Sequence, residues 1–299
     1  MKAQSAFNSS STLHPPLALG VIDYLNCQPL NWGIAERLPQ VRLHNAVPTG
    51  LNQALIAGEL AIAPISAYEY ARHADELLVV PGLSIATLGA VNSVNVFAWQ
   101  PDPYTWDGAT IALTTHSATS INLLRVLCEQ HYNIHPTWRP MTPGLEPMLR
   151  QCDAALLIGD LALIEATERR RVLDQAGKRR LPFSFDLGDE WLKWTGLPFT
   201  FAVWCVRRDR AEEVWDAGIV PALYAAKREG LRHLDTIAAR YAGRLNLPAG
   251  VCAKYLRDLR YDLTPTDQQG LAAFLALALP DFQPAQLAWF DETTVGVTV

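Results

Sequence analysis

The chain has 299 residues, 49% hydrophobic and 18% charged, which is enough for one large domain or two ordinary ones with sizeable cores. A formal net charge of -5 argues against a nucleic-acid or acidic-membrane partner, since those need a clustered basic surface. The five cysteines, Cys27, Cys128, Cys152, Cys205 and Cys252, are scattered without a CxxC pair, which excludes a disulfide framework and a cysteine zinc site and suits a reducing compartment.

Residues 1–16 hold a Ser-rich run and Pro15-Pro16 but no apolar h-region, so they read as a flexible tail rather than a signal peptide. Residues 19–22 then form a short apolar strand that enters the polar elbow Asp23-Tyr24-Leu25-Asn26-Cys27-Gln28, after which Leu30, Ile34 and Leu38 recur at helical spacing. In an open α/β sheet the carboxyl end of a strand faces the ligand crevice, and the free N–H groups of the next helix favour an anion there. Tyr24 and Asn26 therefore either grip a small acid or, in the case of Asn26, cap the helix. An imperfectly alternating strand at 41–47, a helix running to Gly58 and a buried strand at 60–65 follow. Ser66 ends that strand as a helix cap or as a second cleft residue, and the alternation of Asn92, Ser93 and Asn95 with Val91, Val94 and Val96 marks a half-buried strand over 90–99.

Composition breaks at 100–103, and a new strand at 109–113 leads into Thr114-Thr115-His116-Ser117-Ala118-Thr119-Ser120 and a helix carrying Ile121, Leu124, Leu127 and Cys128. Five hydroxyls in seven residues before a helix make a second anion cradle, or a loop with one capping hydroxyl. His116 is a surface histidine or a base. His131 and His135 have the spacing of a metal pair, but Asn133 and Pro136 end the helix there and no acidic ligand is near, so no metal is expected. The strand at 154–158 ends in Gly159-Asp160, where glycine permits close backbone approach and the aspartate caps a helix or faces the cleft. The basic residues of 169–180 lie among Glu165, Glu168 and Asp174 and read as a solvated helix face. Trp191, Leu197 and Pro198 belong to an aromatic passage that closes a core or walls a pocket for a flat ring. A strand at 201–206 and a helical region at 211–282 complete the chain; the apolar run 271–279 is half a membrane span.

Strands alternate with helices, so the class is α/β, and the strand-elbow-helix device occurs in both halves. The expected architecture is two-lobed, with a ligand cleft between lobes, in the manner of type-II periplasmic binding proteins. Residues 17–99 with 201–299 would form the first lobe and 100–200 the second, with crossings at 97–100 and 201–204.

VIDYLNCQPL, SAYEY, VNSVNVF, THSATS, LLIGDLAL, DLGDEW followed by TGLPFTFAVW, and YLRDLRYDLTPTDQQGL together resemble the chorismate dehydratase family of the futalosine route to menaquinone. The resemblance runs from about residue 17 to 282, and its specific parts are YLN-x-x-PL and TGLPF-x-FA-W. It implies a cytoplasmic enzyme that converts chorismate to 3-[(1-carboxyvinyl)oxy]benzoate by loss of water, on a binding-protein fold. By this resemblance Asn26 lies at the reacting ring, Ser117, Thr119 and Ser120 hold a carboxylate, and Asp160 sits with Gly159 at the opposite wall, with Asn92 and Ser93 nearby. The dihydroxynaphthoate-forming enzyme of the same route shares the fold but opens differently.

The expected chemistry is cofactor-free. Asn26 and a loop hydroxyl, with Thr115 among the candidates, polarise the departing hydroxyl, while the base is the enolpyruvyl carboxylate of the substrate, Asp160 or His116. A small-acid solute-binding protein and a ligand-responsive regulatory module are the competing classes. No surface for an obligate protein partner is visible in the sequence.

Overall fold

The computed structural model describes residues 16–294, so the expected tail, apart from Pro16, lies outside the described residues. In chain order the strands are β1 (Ala18–Val21), β2 (Arg42–Asn45), β3 (Ile62–Ser66), β4 (Leu77–Thr87), β5 (Val94–Ala98), β6 (Thr110–Thr114), β7 (Thr137–Met141), β8 (Ala154–Ile158), β9 (Val172–Leu173), β10 (Arg179–Arg180), β11 (Phe183–Asp186), β12 (Phe199–Arg207) and β13 (Leu259–Arg260). They build two large sheets of the same design, ordered β13-β4-β12-β3-β1-β2 and β11-β5-β8-β6-β7. In the first, β2, β1 and β3 run parallel and β12 lies antiparallel between β3 and β4. In the second, β7, β6 and β8 run parallel and β5 lies antiparallel between β8 and β11. Each sheet thus takes its antiparallel strand from the segment that arrives from the other lobe.

This exchange moves the crossings from where the sequence places them. The chain leaves the first sheet at Thr87 and enters the second at Val94, and it returns between Asp186 and Phe199. Residues 94–98 belong with the second sheet rather than the first, and 199–200 with the first rather than the second. The earlier crossing turns sharply at Asn92, whose φ is 61°, a left-handed conformation that asparagine tolerates. The Val91 and Asn92 N–H groups there donate to Asp186, which also accepts from Gly188 and Asp189 and so caps the Leu187–Thr195 helix. One carboxylate ties both crossings together.

Local departures have local causes. The helix expected over 30–38 is two short pieces, Gln28–Asn31 and Ile34–Arg37, broken at Gly33 with φ of 64°. Residues 77–87 form one long strand, β4. The basic stretch is not a helix face: Arg169 ends the Gly159–Glu168 helix in the left-handed region, and β9 and β10 form a small antiparallel ribbon. Two of its cations are paired, Arg170 with Glu165 and Glu168, and Arg180 with Asp174.

The helices Ile219–Arg232, Leu234–Leu245, Ala249–Asp258 and Pro265–Ala278 follow β12, and β13 returns to the first sheet beside β4. No helix is long and apolar enough to cross a membrane among the described residues.

Candidate active site between the two lobes

A cavity lies between the sheets where four parallel strands end, β1 and β3 on one lobe and β6 and β8 on the other. Tyr24, Asn26, Ser66, Ser93, Ser117, Ser120 and Gly159 line it, so seven of the residues singled out in the sequence converge there from both lobes. Ile22, Ile65, Ile85, Val91, Ile158 and Phe201 supply apolar walls. No lysine, arginine or histidine lines the cavity among the described residues.

The hydroxyls are oriented from behind. The Ser66 Oγ accepts the Glu69 N–H at 3.1 Å, the Ser117 Oγ accepts the Ser120 N–H at 3.1 Å, and the Ser93 Oγ accepts the Tyr255 hydroxyl at 2.8 Å. A hydroxyl that accepts from the protein keeps its own proton to donate, so each is set to give a hydrogen bond to a cavity ligand. Burial, reinforced by Asp160 and Cys27, raises the Tyr24 phenol to about 12, which keeps it a protonated donor. Burial likewise pushes the Cys27 thiol up, so it is no nucleophile at neutral pH. Asn26 caps no helix: it lies inside the short 3-10 turn Leu25–Cys27, and its Oδ1 is buried with no partner among the described residues. An unpaired buried amide oxygen is a cost that the fold carries at this position, in a residue that lines the cavity. The whole is a site of neutral hydrogen-bonding groups with apolar walls.

The remaining sequence candidates lie elsewhere. Thr115 is exposed and His116 half-buried, and neither lines the cavity, because the loop turns outward as the His116 N–H bonds the Thr114 Oγ1. Thr119 is buried but faces the other lobe, its Oγ1 accepting the Tyr68 N–H at 3.2 Å. Asn92 is spent on the crossing described above. Trp191 closes a core: it is fully buried, packs edge-on against Phe199 and Phe274, and donates its indole N–H to the Pro198 carbonyl, so Trp191, Leu197 and Pro198 form no pocket wall. His131 stacks on Trp194, and no cluster of three metal-ligating side chains occurs among the described residues.

Asp160 stands beside the cavity without lining it. From the first turn of the Gly159–Glu168 helix its Oδ1 reaches across to accept the Leu25 N–H at 2.9 Å, and its other oxygen lies 3.8 Å from Arg244, which is itself bound to Asp23 at the mouth. The Thr119–Tyr68 bond and the bond from the Gln130 amide to the Leu277 carbonyl also latch one lobe to the other. Burial is the main reason the Asp160 carboxyl rises from 3.8 to about 6; the Leu25 N–H and Arg244 oppose the rise and Asp23 adds to it. The folded protein therefore holds this proton more tightly than the unfolded chain, and its stability falls as pH rises from about 4 through about 6. Asp160→Asn, neutral throughout and still able to accept from Leu25, should be the more stable protein above about pH 6, by up to about 3 kcal/mol, with the gap closing toward pH 4. Denaturant melts of both proteins across that range check this, and a difference that does not vary with pH would contradict it.

Among the cavity residues missed in sequence, Ile85, Phe201 and Ala202 sit inside strands β4 and β12, and Pro48 opens the Pro48–Ile56 helix. No local signal marks them, since a core face and a cleft face are equally apolar.

Two α/β lobes whose cavity lies between the carboxyl ends of parallel strands define a chain of the periplasmic-binding-protein fold class. Solved structures agree: a protein of Archaeoglobus fulgidus has a TM-score of 0.66 at 17% identity, over 88% of this chain and 96% of its own. The periplasmic aliphatic sulphonate binding protein of Escherichia coli has a TM-score of 0.57 at 18% identity, over 92% of each chain. Within that class the chain belongs to the menaquinone biosynthesis family, whose model matches residues 17–279. The chorismate dehydratase of Thermus thermophilus is 38% identical to it over 272 residues, covering 89% of this chain and 96% of the relative.

Proposed function

We propose that this protein is a chorismate dehydratase, a cytoplasmic hydro-lyase that releases water from chorismate to give 3-[(1-carboxyvinyl)oxy]benzoate. The observation that carries the reading is the cavity itself: seven neutral polar or glycine positions from both lobes surround a space with apolar walls and no cation. Such a site suits a small dicarboxylate on a flat ring, held by hydroxyl donors rather than by ion pairs. Kinship with a chorismate dehydratase at 38% identity supports the same substrate.

The reaction breaks a C–H bond at the ring carbon bearing the enolpyruvyl ether and the C–O bond at the neighbouring carbon. The C–H electron pair becomes the new ring double bond, and the departing hydroxide takes up a proton to become water. Because the product ring is aromatic, the enzyme needs only to place a base and to ease hydroxide loss. Asn26 lines the cavity and offers its amide N–H donors to the departing hydroxyl. Asp160 is turned to Leu25 and His116 stands outside the cavity, so we assign the proton abstraction to the substrate's own enolpyruvyl carboxylate. Ser93, Ser117, Ser120 and Ser66 hold the ring carboxylate and the ether in place, which contributes through alignment.

No metal or organic cofactor enters this chemistry. Protein treated with a chelator and dialysed should convert chorismate at the untreated rate. A strict, reversible requirement for a divalent ion would overturn the mechanism.

A further inference from the structure

Ser93 lies on the crossing between β4 and β5 and is 1% exposed, yet it lines the cavity. Its carbonyl accepts the Gly159 N–H at 2.8 Å, which fixes the first turn of the helix that carries Asp160. Its Oγ is engaged at 2.8 Å by the hydroxyl of Tyr255, a residue of the Ala249–Asp258 helix that does not itself line the cavity. Tyr255 is 3% exposed, and burial drives its phenol well above its ordinary value of 10, so it keeps its proton. That proton has one acceptor among the described residues, the Ser93 Oγ. Ser66 and Ser117 are oriented by backbone N–H groups, which no side-chain substitution removes. Ser93 is oriented by a side chain 162 positions away.

We propose that Tyr255 is a positioning residue: by donating to the Ser93 Oγ it forces the Ser93 proton into the cavity, where it bonds a carboxylate of the bound acid. This rests on the dehydratase reading of the site and adds to it a residue behind the cavity wall. Without the phenol hydroxyl, Ser93 is free to rotate, and its proton has the neighbouring backbone as an alternative partner.

The test compares wild type with Tyr255→Phe, Ser93→Ala and the double variant. Removal of a hydrogen bond to a charged group should lower kcat/KM for chorismate by about tenfold or more in each single variant. The double variant should be no worse than Ser93→Ala, because Tyr255 acts only through Ser93. Losses that multiply in the double variant, or a Tyr255→Phe with wild-type kcat/KM, would overturn the proposal. So would a Tyr255→Phe that no longer melts cooperatively, since its ring still fills the same space and only the hydroxyl is gone. The same four proteins are titrated calorimetrically with 3-(carboxymethoxy)benzoate, a dianion of the product's shape. The coupling should appear in Kd as well, so a wild type that binds without turnover would overturn the dehydratase reading while still measuring this one.

Discussion

Asn26→Leu should lower turnover by about 100-fold or more while leaving the melting temperature unchanged or slightly raised. The stability half of this follows from what Asn26 does not do. A side chain that caps a helix contributes about 1 kcal/mol, but Asn26 makes no cap bond, and its buried Oδ1 has no partner among the described residues. Replacing it with an apolar residue of similar size removes an unsatisfied polar group, which is neutral or stabilising for the fold. The rate half follows from where it stands: in the lining of the cavity, on the elbow that follows β1. An interaction that strengthens as the hydroxyl departs acts on kcat more than on binding. Turnover, product affinity and melting temperature on one preparation separate these effects. A destabilised but fully active Asn26→Leu would remove Asn26 from the mechanism.

Gly159→Ala should lower kcat/KM by about 100-fold, through failure of the lobes to meet. Gly159 has φ of 64°, and a Cβ built there lies 2.8 Å from the Tyr24 ring on the opposite lobe. The left-handed conformation alone costs a non-glycine residue about 1–2 kcal/mol. The clash adds a geometric obstacle: Tyr24 must leave the cavity wall, or the second lobe must stand back and break the Asp160–Leu25 bond. Small-angle scattering with saturating product should then show a larger radius for Gly159→Ala than for wild type. A variant with wild-type kcat/KM and equal compaction would show that the close approach is not needed.

The sequence carries the site better than it carries the route of the chain. Asn26, Ser66, Ser117 and Gly159 were legible because each follows a short apolar strand, and the carboxyl end of such a strand faces the crevice whatever the rest of the fold does. Thr119 and Asp160 share that placement but face a partner lobe, a choice set by tertiary contacts that no local pattern encodes. Trp191 was ambiguous for a related reason: an aromatic cluster looks the same in sequence whether it meets Phe274 or a ligand. The crossings were displaced because β5 and β12 each join the sheet they are entering, and alternation within a strand says nothing about which sheet it joins. Strand β7, with Pro140 inside it and half-exposed side chains, lies at an edge and gave no apolar run to read.

The central claim is that this cleft dehydrates chorismate rather than merely holding it, and the direct measurement is a time course of purified protein with chorismate, followed by ultraviolet absorbance and mass spectrometry. The account predicts catalytic conversion, many substrate molecules per protein, to an aromatic product lighter by one water, with the rate abolished or strongly reduced in Asn26→Leu. Stoichiometric binding with chorismate recovered unchanged would contradict it and make the protein a small-acid binder of the same fold.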